Sequence, residues 1–578
     1  MTLDRISLVI ALALFLGLAA AQLSLPGLHY DEAFEVVPTM QLMLDQPVST
    51  FRNNGLWLGH HLLPMMTQDY IGAINTYLAL PFFLTLGVTV VSLRGMAIAA
   101  GLVTICLAHR LAREMAGPLA GGVTALLLAV NPTFVFWSRQ GVFVTSVTAA
   151  IGLAAALGWL RWWRSGDRTY ALAGAFLLGV GVYAKLLFVW LIAGLALAAS
   201  LVILLQVHWR WRAARVMVQD RVAARCTIFG CGVCFAVGCA PLLAYNLQTG
   251  GTVASVGLNL TTSYYGTNNV AFLPNLVERV GQFGTVLTGS HLWYLGGSFA
   301  NWFNLVLFWV ALGMAVWLVV QGTAGSRCIL VPFVVIGGVL VASCATVSAL
   351  WVTHFALLAP WPALAIGCSV AGVVRVQRSA LRKSPPSAPA SPFHLSTVVP
   401  CFRKGTAPIA VLGFVVLSWM GDAVTDVRYH QALTDSGGLG AHSDAVYDLA
   451  DWLLAAGRER IGTDGASPPV AAMDWGIAAP VAFLTRAEVM PVETFGYEWE
   501  SDAQLTRRLN GFIQQPDTVY LWRAPAEIVF DRSQEFKALY RPLGLEEDIV
   551  AAFYERSGRP VLGATRLVRQ GTAKNPPQ

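Results

Sequence analysis

The chain has 578 residues, of which 56% are hydrophobic and 12% charged, with a mean hydropathy of +0.60. So few polar groups cannot coat a water-soluble particle of this size, and a soluble or disordered chain is excluded. The net charge of +6 does not point to nucleic acid, because 17 of the 38 Lys and Arg residues fall in five loops that can all lie on one side of a bilayer.

Apolar runs of about 18 to 20 residues recur along the chain, which predicts a polytopic α-helical membrane protein. Residues 6–21 follow Arg5 and read as an uncleaved first helix, although Ala19 to Ala21 resembles a small-residue cleavage site. Residues 71–91 are also long enough to span. If they did, Arg161, Arg164 and Arg168, and the cluster Arg210, Arg212, Arg215, Arg221 and Arg225, would lie outside while Arg5 lies inside. That violates the positive-inside rule twice, so this stretch is predicted to lie flat on the outer face or dip into it. Helices are then predicted near residues 5–23, 93–110, 118–137, 141–160, 171–190, 191–207, 226–245, 303–320, 328–346, 350–373 and 407–421. This makes eleven crossings, with the N-terminus inside and the C-terminus outside.

Three parts follow: a transmembrane module over 1–245 with an external loop at 24–92; a second transmembrane region over 246–421 with an external loop at 246–302 and a cytoplasmic linker at 375–405; and an extracytoplasmic α/β domain over 422–578. In the last, Ser443 is predicted to cap a helix running to Ala456, and 502–513 reads as a helix. Residues 470–473 and 518–522 read as strands. The nine cysteines fall in apolar spans or basic loops and imply neither a disulfide framework nor a structural metal. The Cys231 and Cys234 pair reads as packing inside a helix.

The text richest in chemistry is GLHYDEAFEVVPTM, residues 27–40, just past the first helix. Asp31 and Glu32 stand where a membrane helix has ended and another begins, so either they cap that helix or Asp31 is an anion able to accept a proton or hold a metal. Lys185 lies inside a predicted span, where an ammonium costs about 2.5 to 3.5 kcal/mol without a partner or a wet cavity. Arg94 and Arg139 lie near the outer ends of their spans, where snorkelling is the plain alternative.

These pieces together resemble the GT-C membrane glycosyltransferases, in particular the protein O-mannosyltransferases and the lipid A aminoarabinose transferases that use polyprenyl-phosphate sugars. The Asp-Glu pair, QDYIGAINTYLALPFFLTLG (68–87) followed by Arg94, NPTFVFWSRQ (131–140) and GVYAKLLFVW (181–190) occur in that family's order over roughly the first 200 residues. The resemblance implies a GT-C fold and inverting transfer of a hexose or pentose to a glycan, lipid or protein acceptor on the extracytoplasmic face of the plasma membrane. It makes Asp31 the catalytic base with Glu32 beside it, and Arg94, Arg139 and Lys185 the groups that hold the donor phosphate. Asp69, His60 and His61 are expected at the acceptor or at a metal. No cofactor is assigned, and a divalent cation shared by Asp31 and Asp69 stays open, because the Asp that relatives carry after the third crossing is absent from residues 141–145. A transporter or lipid-linked-sugar flippase is the alternative, although such proteins place charge near the midplane at paired repeats.

Overall fold

The computed structural model describes residues 3–140, 145–205, 221–263, 265–322, 326–383, 407–461, 468–495 and 502–571. Residues 141–144, the cations Arg210, Arg212 and Arg215, and most of the linker at 375–405 lie outside them.

The first apolar run forms α1 (Leu3–Ala20), tied at its start by Asp4 to Arg113 at 3.0 Å. A short α2 (Tyr30–Ala33) and α3 (Val37–Met43) follow, then two small antiparallel hairpins: β1 (Gly55–Leu58) with β2 (His61–Pro64), and β3 (Met66–Gln68) with β4 (Ile71–Gly72). The apolar stretch at 71–91 yields only α4 (Ile74–Leu86), which contains Pro81 and stops at Gly87. Its 13 residues cover about 20 Å, short of a hydrocarbon core of about 30 Å.

A reciprocal cap between Thr89 and Ser92 starts α5 (Val90–Ala116). The predicted helix at 118–137 is two pieces, α6 (Pro118–Ala129) and α7 (Pro132–Gln140), bent by 66° where Pro132 interrupts the ladder. After α8 (Thr145–Ser165), the predicted span at 171–190 also breaks. It gives α9 (Arg168–Ala184), an extended Lys185, one 3-10 turn and α10 (Val189–Leu205). Five described helices are long and apolar enough to cross a membrane, or eight if each bent pair is one span. The chain is therefore membrane-embedded, with fewer such spans among the described residues than the eleven predicted, while Ile74–Leu86, Arg168–Ala184 and Cys328–Ala342 are apolar but shorter.

The C-terminal region carries a five-stranded sheet built from β5 (Val470–Ala472), β6 (Val492–Glu493), β7 (Val519–Arg523), β8 (Leu545–Tyr554) and β9 (Pro560–Arg569). Its order is β6-β5-β7-β9-β8, parallel on both sides of β5 and antiparallel from β7 onward. The predicted strands and the helix Asp502–Ile513 are all present. The Ser443 hydroxyl accepts from Ala445 N–H at the start of the helix Ala445–Ile461.

One apolar core unites this domain with the segment beyond α1. Tyr30, Ala33, Val36, Met40, Phe83 and Leu93 pack in a single cluster with Leu449, Val481, Phe483 and Leu521. Burying side chains of this size stabilises by about 1.5 to 3 kcal/mol each, so the segment after α1 and the C-terminal sheet region are held as a unit.

Candidate functional site

The chain leaves α1 in a turn and enters α2 through a reciprocal cap: His29 Nδ1 accepts from Asp31 N–H at 3.2 Å, and Glu32 Oε1 accepts from His29 N–H at 3.3 Å. Adjacent side chains on a helix diverge by about 100°, so Asp31 and Glu32 face different surroundings.

Glu32 is fully buried and receives Arg94, also fully buried, as a fork: Nε to Oε2 at 2.8 Å and Nη2 to Oε1 at 2.9 Å. Arg94 spends its other donors on the carbonyls of Leu23 at 2.8 Å and Gly27 at 3.5 Å. Arg139 donates from Nη2 to the carbonyls of Gln22 at 2.6 Å and Leu25 at 3.0 Å, and its charge also acts on Glu32. Arg139 keeps Nε and Nη1 buried with no hydrogen-bond partner among the described residues. Arg94 and Arg139 both grip the segment at 22–32, because a buried Glu32 and bent backbone carbonyls there demand donors.

Asp31 feels the charge of Lys185, which also interacts with Glu35. The Asp31 side chain is 16% exposed, and Oδ1 has no hydrogen-bond partner among the described residues. Burial pushes the carboxyl up to about 7 despite the opposing pull of Lys185, and Glu32 adds a smaller upward push. Such a group changes charge near neutral pH, as a general base does.

Lys185 reaches this position because its backbone has left the helix, at φ −154° and ψ 123°. There it forms an antiparallel bridge with Ile71, and Leu186 N–H donates to the Tyr70 carbonyl at 2.9 Å. The loop carrying Asp69 is thereby docked into the interrupted span. Gly72 is required at this junction, since a Cβ there would lie 2.3 Å from the Tyr183 carbonyl oxygen.

Asp69 is buried and takes Arg52 as a fork, Nε to Oδ1 at 2.9 Å and Nη2 to Oδ2 at 2.6 Å, while the Tyr245 hydroxyl donates to Oδ1 at 2.7 Å. The charges of both Asp31 and Asp69 act on Tyr70. A cation shared by Asp31 and Asp69 does not fit this arrangement, because it would have to displace a bidentate guanidinium. His60 and His61 stand apart, turned toward Asp45 at the tip of the first hairpin. His291 and His354 pair with hydroxyls of Thr133 and Ser348.

Several groups have no counterpart among the sequence candidates. Glu35 is buried one helical turn past Asp31, where Asn75 donates to its Oε2 at 2.6 Å. Its spacing of four from Asp31 was the available signal. The tail domain also reaches the site. His29 stacks on His442 at 4.1 Å, His442 on Tyr294 at 4.1 Å, and Tyr30 packs against Trp475 at 4.7 Å. Asp474 accepts from the amides of Trp475, Val529 and Phe530, so it braces the loop that presents Trp475.

Compared by sequence, the chain matches no protein-family model and no curated protein. Compared by structure, it matches ArnT from Cupriavidus metallidurans in the apo state, with a TM-score of 0.59 and 12% identity. It also matches ArnT bound to undecaprenyl phosphate, with a TM-score of 0.57 and 13% identity. Each match covers 96% of this chain and 97% of that one. The archaeal oligosaccharyltransferase AglB from Archaeoglobus fulgidus, in complex with an inhibitory peptide and a dolichol-phosphate, matches with a TM-score of 0.48 and 12% identity, over 89% of this chain and 69% of that one. The chain thus shares the fold of ArnT over nearly its whole length.

Proposed function

We propose that this chain, built on the fold it shares with ArnT, is a membrane glycosyltransferase that moves a sugar from a polyprenyl phosphate to a hydroxyl acceptor. The observation that carries the reading is Asp31: a carboxylate with a free oxygen, held near neutral pH, beside an ammonium presented by a broken span. The ArnT structure bound to undecaprenyl phosphate supplies the donor class.

Transfer breaks the bond between sugar C1 and the phosphate oxygen and forms a bond from the acceptor oxygen to C1. Asp31 takes the acceptor proton, and the departing polyprenyl phosphate keeps the electron pair. Lys185 stabilises that developing negative charge, and the Tyr70 hydroxyl adds a donor beside it. Attack from the face opposite the phosphate inverts C1, for which one base suffices. Glu32, Arg94 and Arg139 position the segment bearing Asp31, whereas the Asp69, Arg52 and Tyr245 group shapes the acceptor side. The tail domain covers the site through Trp475 and His442.

The site lies on the extracytoplasmic face of the plasma membrane, with the N-terminus cytoplasmic and eleven crossings in all. The basic residues Arg110, Arg113, Arg161, Arg164 and Arg375 then fall inside, as the positive-inside rule requires. Binding of undecaprenyl phosphate to the purified protein, followed by native mass spectrometry, tests the donor assignment. Lys185→Met is expected to weaken binding by tenfold or more, and unchanged binding refutes the phosphate contact. In sealed vesicles, movement of a lipid-linked sugar across the bilayer without transfer to an acceptor would replace this reading with a flippase.

A further inference from the structure

We propose that Asp45, His60 and His61 form a binding site for a divalent transition metal of the zinc class, at the tip of the hairpin β1–β2. In this hairpin Leu58 pairs with His61, which leaves Gly59 and His60 as a two-residue turn. Gly59 takes the left-handed conformation the turn needs, with φ +64°.

Neighbouring side chains along a strand point to opposite faces. Across this turn they converge: the two imidazole centroids are 4.0 Å apart. His60 Nε2 and His61 Nε2 approach the same oxygen, Asp45 Oδ1, at 3.3 and 3.7 Å. One donor atom from each of the three residues lies within 4.8 Å of the others. Tetrahedral bonds of about 2.0 to 2.1 Å to zinc require donor separations of about 3.3 to 3.4 Å. The two separations to the carboxylate are already close to that, and a small rotation of the rings brings the third into range.

Two imidazoles with one carboxylate favour zinc and its neighbours over magnesium or calcium, which prefer all-oxygen sets. Among the described residues this is the grouping of three His, Cys, Asp or Glu donors that converges so closely. The His60 and Asp45 side chains are each 77% exposed, so the remaining coordination positions open to water. A bound ion would fasten the loop after α3 to the hairpin that follows Arg52, stiffening the approach to Asp69. The site is separate from Asp31, and its occupancy can be measured without any turnover.

The test uses the full-length chain without a histidine tag, stripped by a chelator in detergent and titrated with Co2+ and then Zn2+. Absorbance reports the cobalt geometry and calorimetry the stoichiometry. One equivalent is expected to bind with tetrahedral cobalt bands. Asp45→Asn and His61→Ala should each weaken binding about tenfold or more, whereas Asp31→Asn and Asp69→Asn leave it unchanged. His60→Gln, a change at a solvent-exposed turn that the fold does not need, should weaken it likewise. Absence of stoichiometric binding, binding that survives all three hairpin-site substitutions, or binding lost in Asp69→Asn would each overturn the proposal.

Discussion

Replacing Arg94 by Met separates a positioning role from a phosphate contact. Both members of the Arg94–Glu32 pair are fully buried, and the guanidinium makes two bonds to the carboxylate and two to loop carbonyls. Removing one partner of a buried pair leaves the other charge uncompensated, at a cost of about 3 to 5 kcal/mol. That raises the unfolding equilibrium constant by roughly two to three and a half powers of ten. Replacing both, as Glu32→Gln with Arg94→Met, removes the stranded charge, and neutral substitutes for a buried pair are often tolerated. The double variant should therefore recover most of the loss. Equilibrium unfolding in mixed detergent micelles, without donor lipid, measures both proteins. If Arg94→Met changes stability by less than about 1 kcal/mol and instead abolishes undecaprenyl phosphate binding, the positioning argument is wrong.

Turnover should follow the ionised form of Asp31, so kcat/KM is expected to fall as pH drops through about 7. Because the Lys185 charge lowers that value, the acid limb of Lys185→Met should move to higher pH; a limb that stays in place refutes the pairing. Gly72→Ala puts a Cβ 2.3 Å from the Tyr183 carbonyl oxygen, and donor-lipid binding should fall at least tenfold, whereas Gly17→Ala, with nothing within 4 Å, should leave it unchanged. Trp475→Ala removes ring contacts to Tyr30 and His29, each worth about 0.5 to 1.5 kcal/mol. It should lower kcat more than it weakens donor binding, as steady-state kinetics and lipid titration together would show.

The sequence made the membrane class legible because apolar runs and loop charge are one-dimensional signals. The same holds for the positions of most helices. The breaks were harder to see. Lys185 reads as a cation inside an even span at 171–190, yet its extended backbone depends on docking to Tyr70 and Ile71, more than a hundred residues earlier. The division of labour between Asp31 and Glu32 likewise follows from which way two adjacent side chains point. That direction depends on the His29 cap and on Arg94, sixty-two residues away. Arg52, Tyr245 and Trp475 were invisible as site residues because each arrives from a separate segment. Nothing in a local pattern distinguishes them from interfacial or packing residues.

The most direct test of the account is a single-turnover assay with a labelled polyprenyl-phosphate sugar, comparing the wild-type chain with Asp31→Asn. The variant should bind donor lipid with unchanged affinity and transfer sugar at least a hundredfold more slowly, the scale expected for loss of a general base. Transfer at the wild-type rate by a folded Asp31→Asn protein would contradict it.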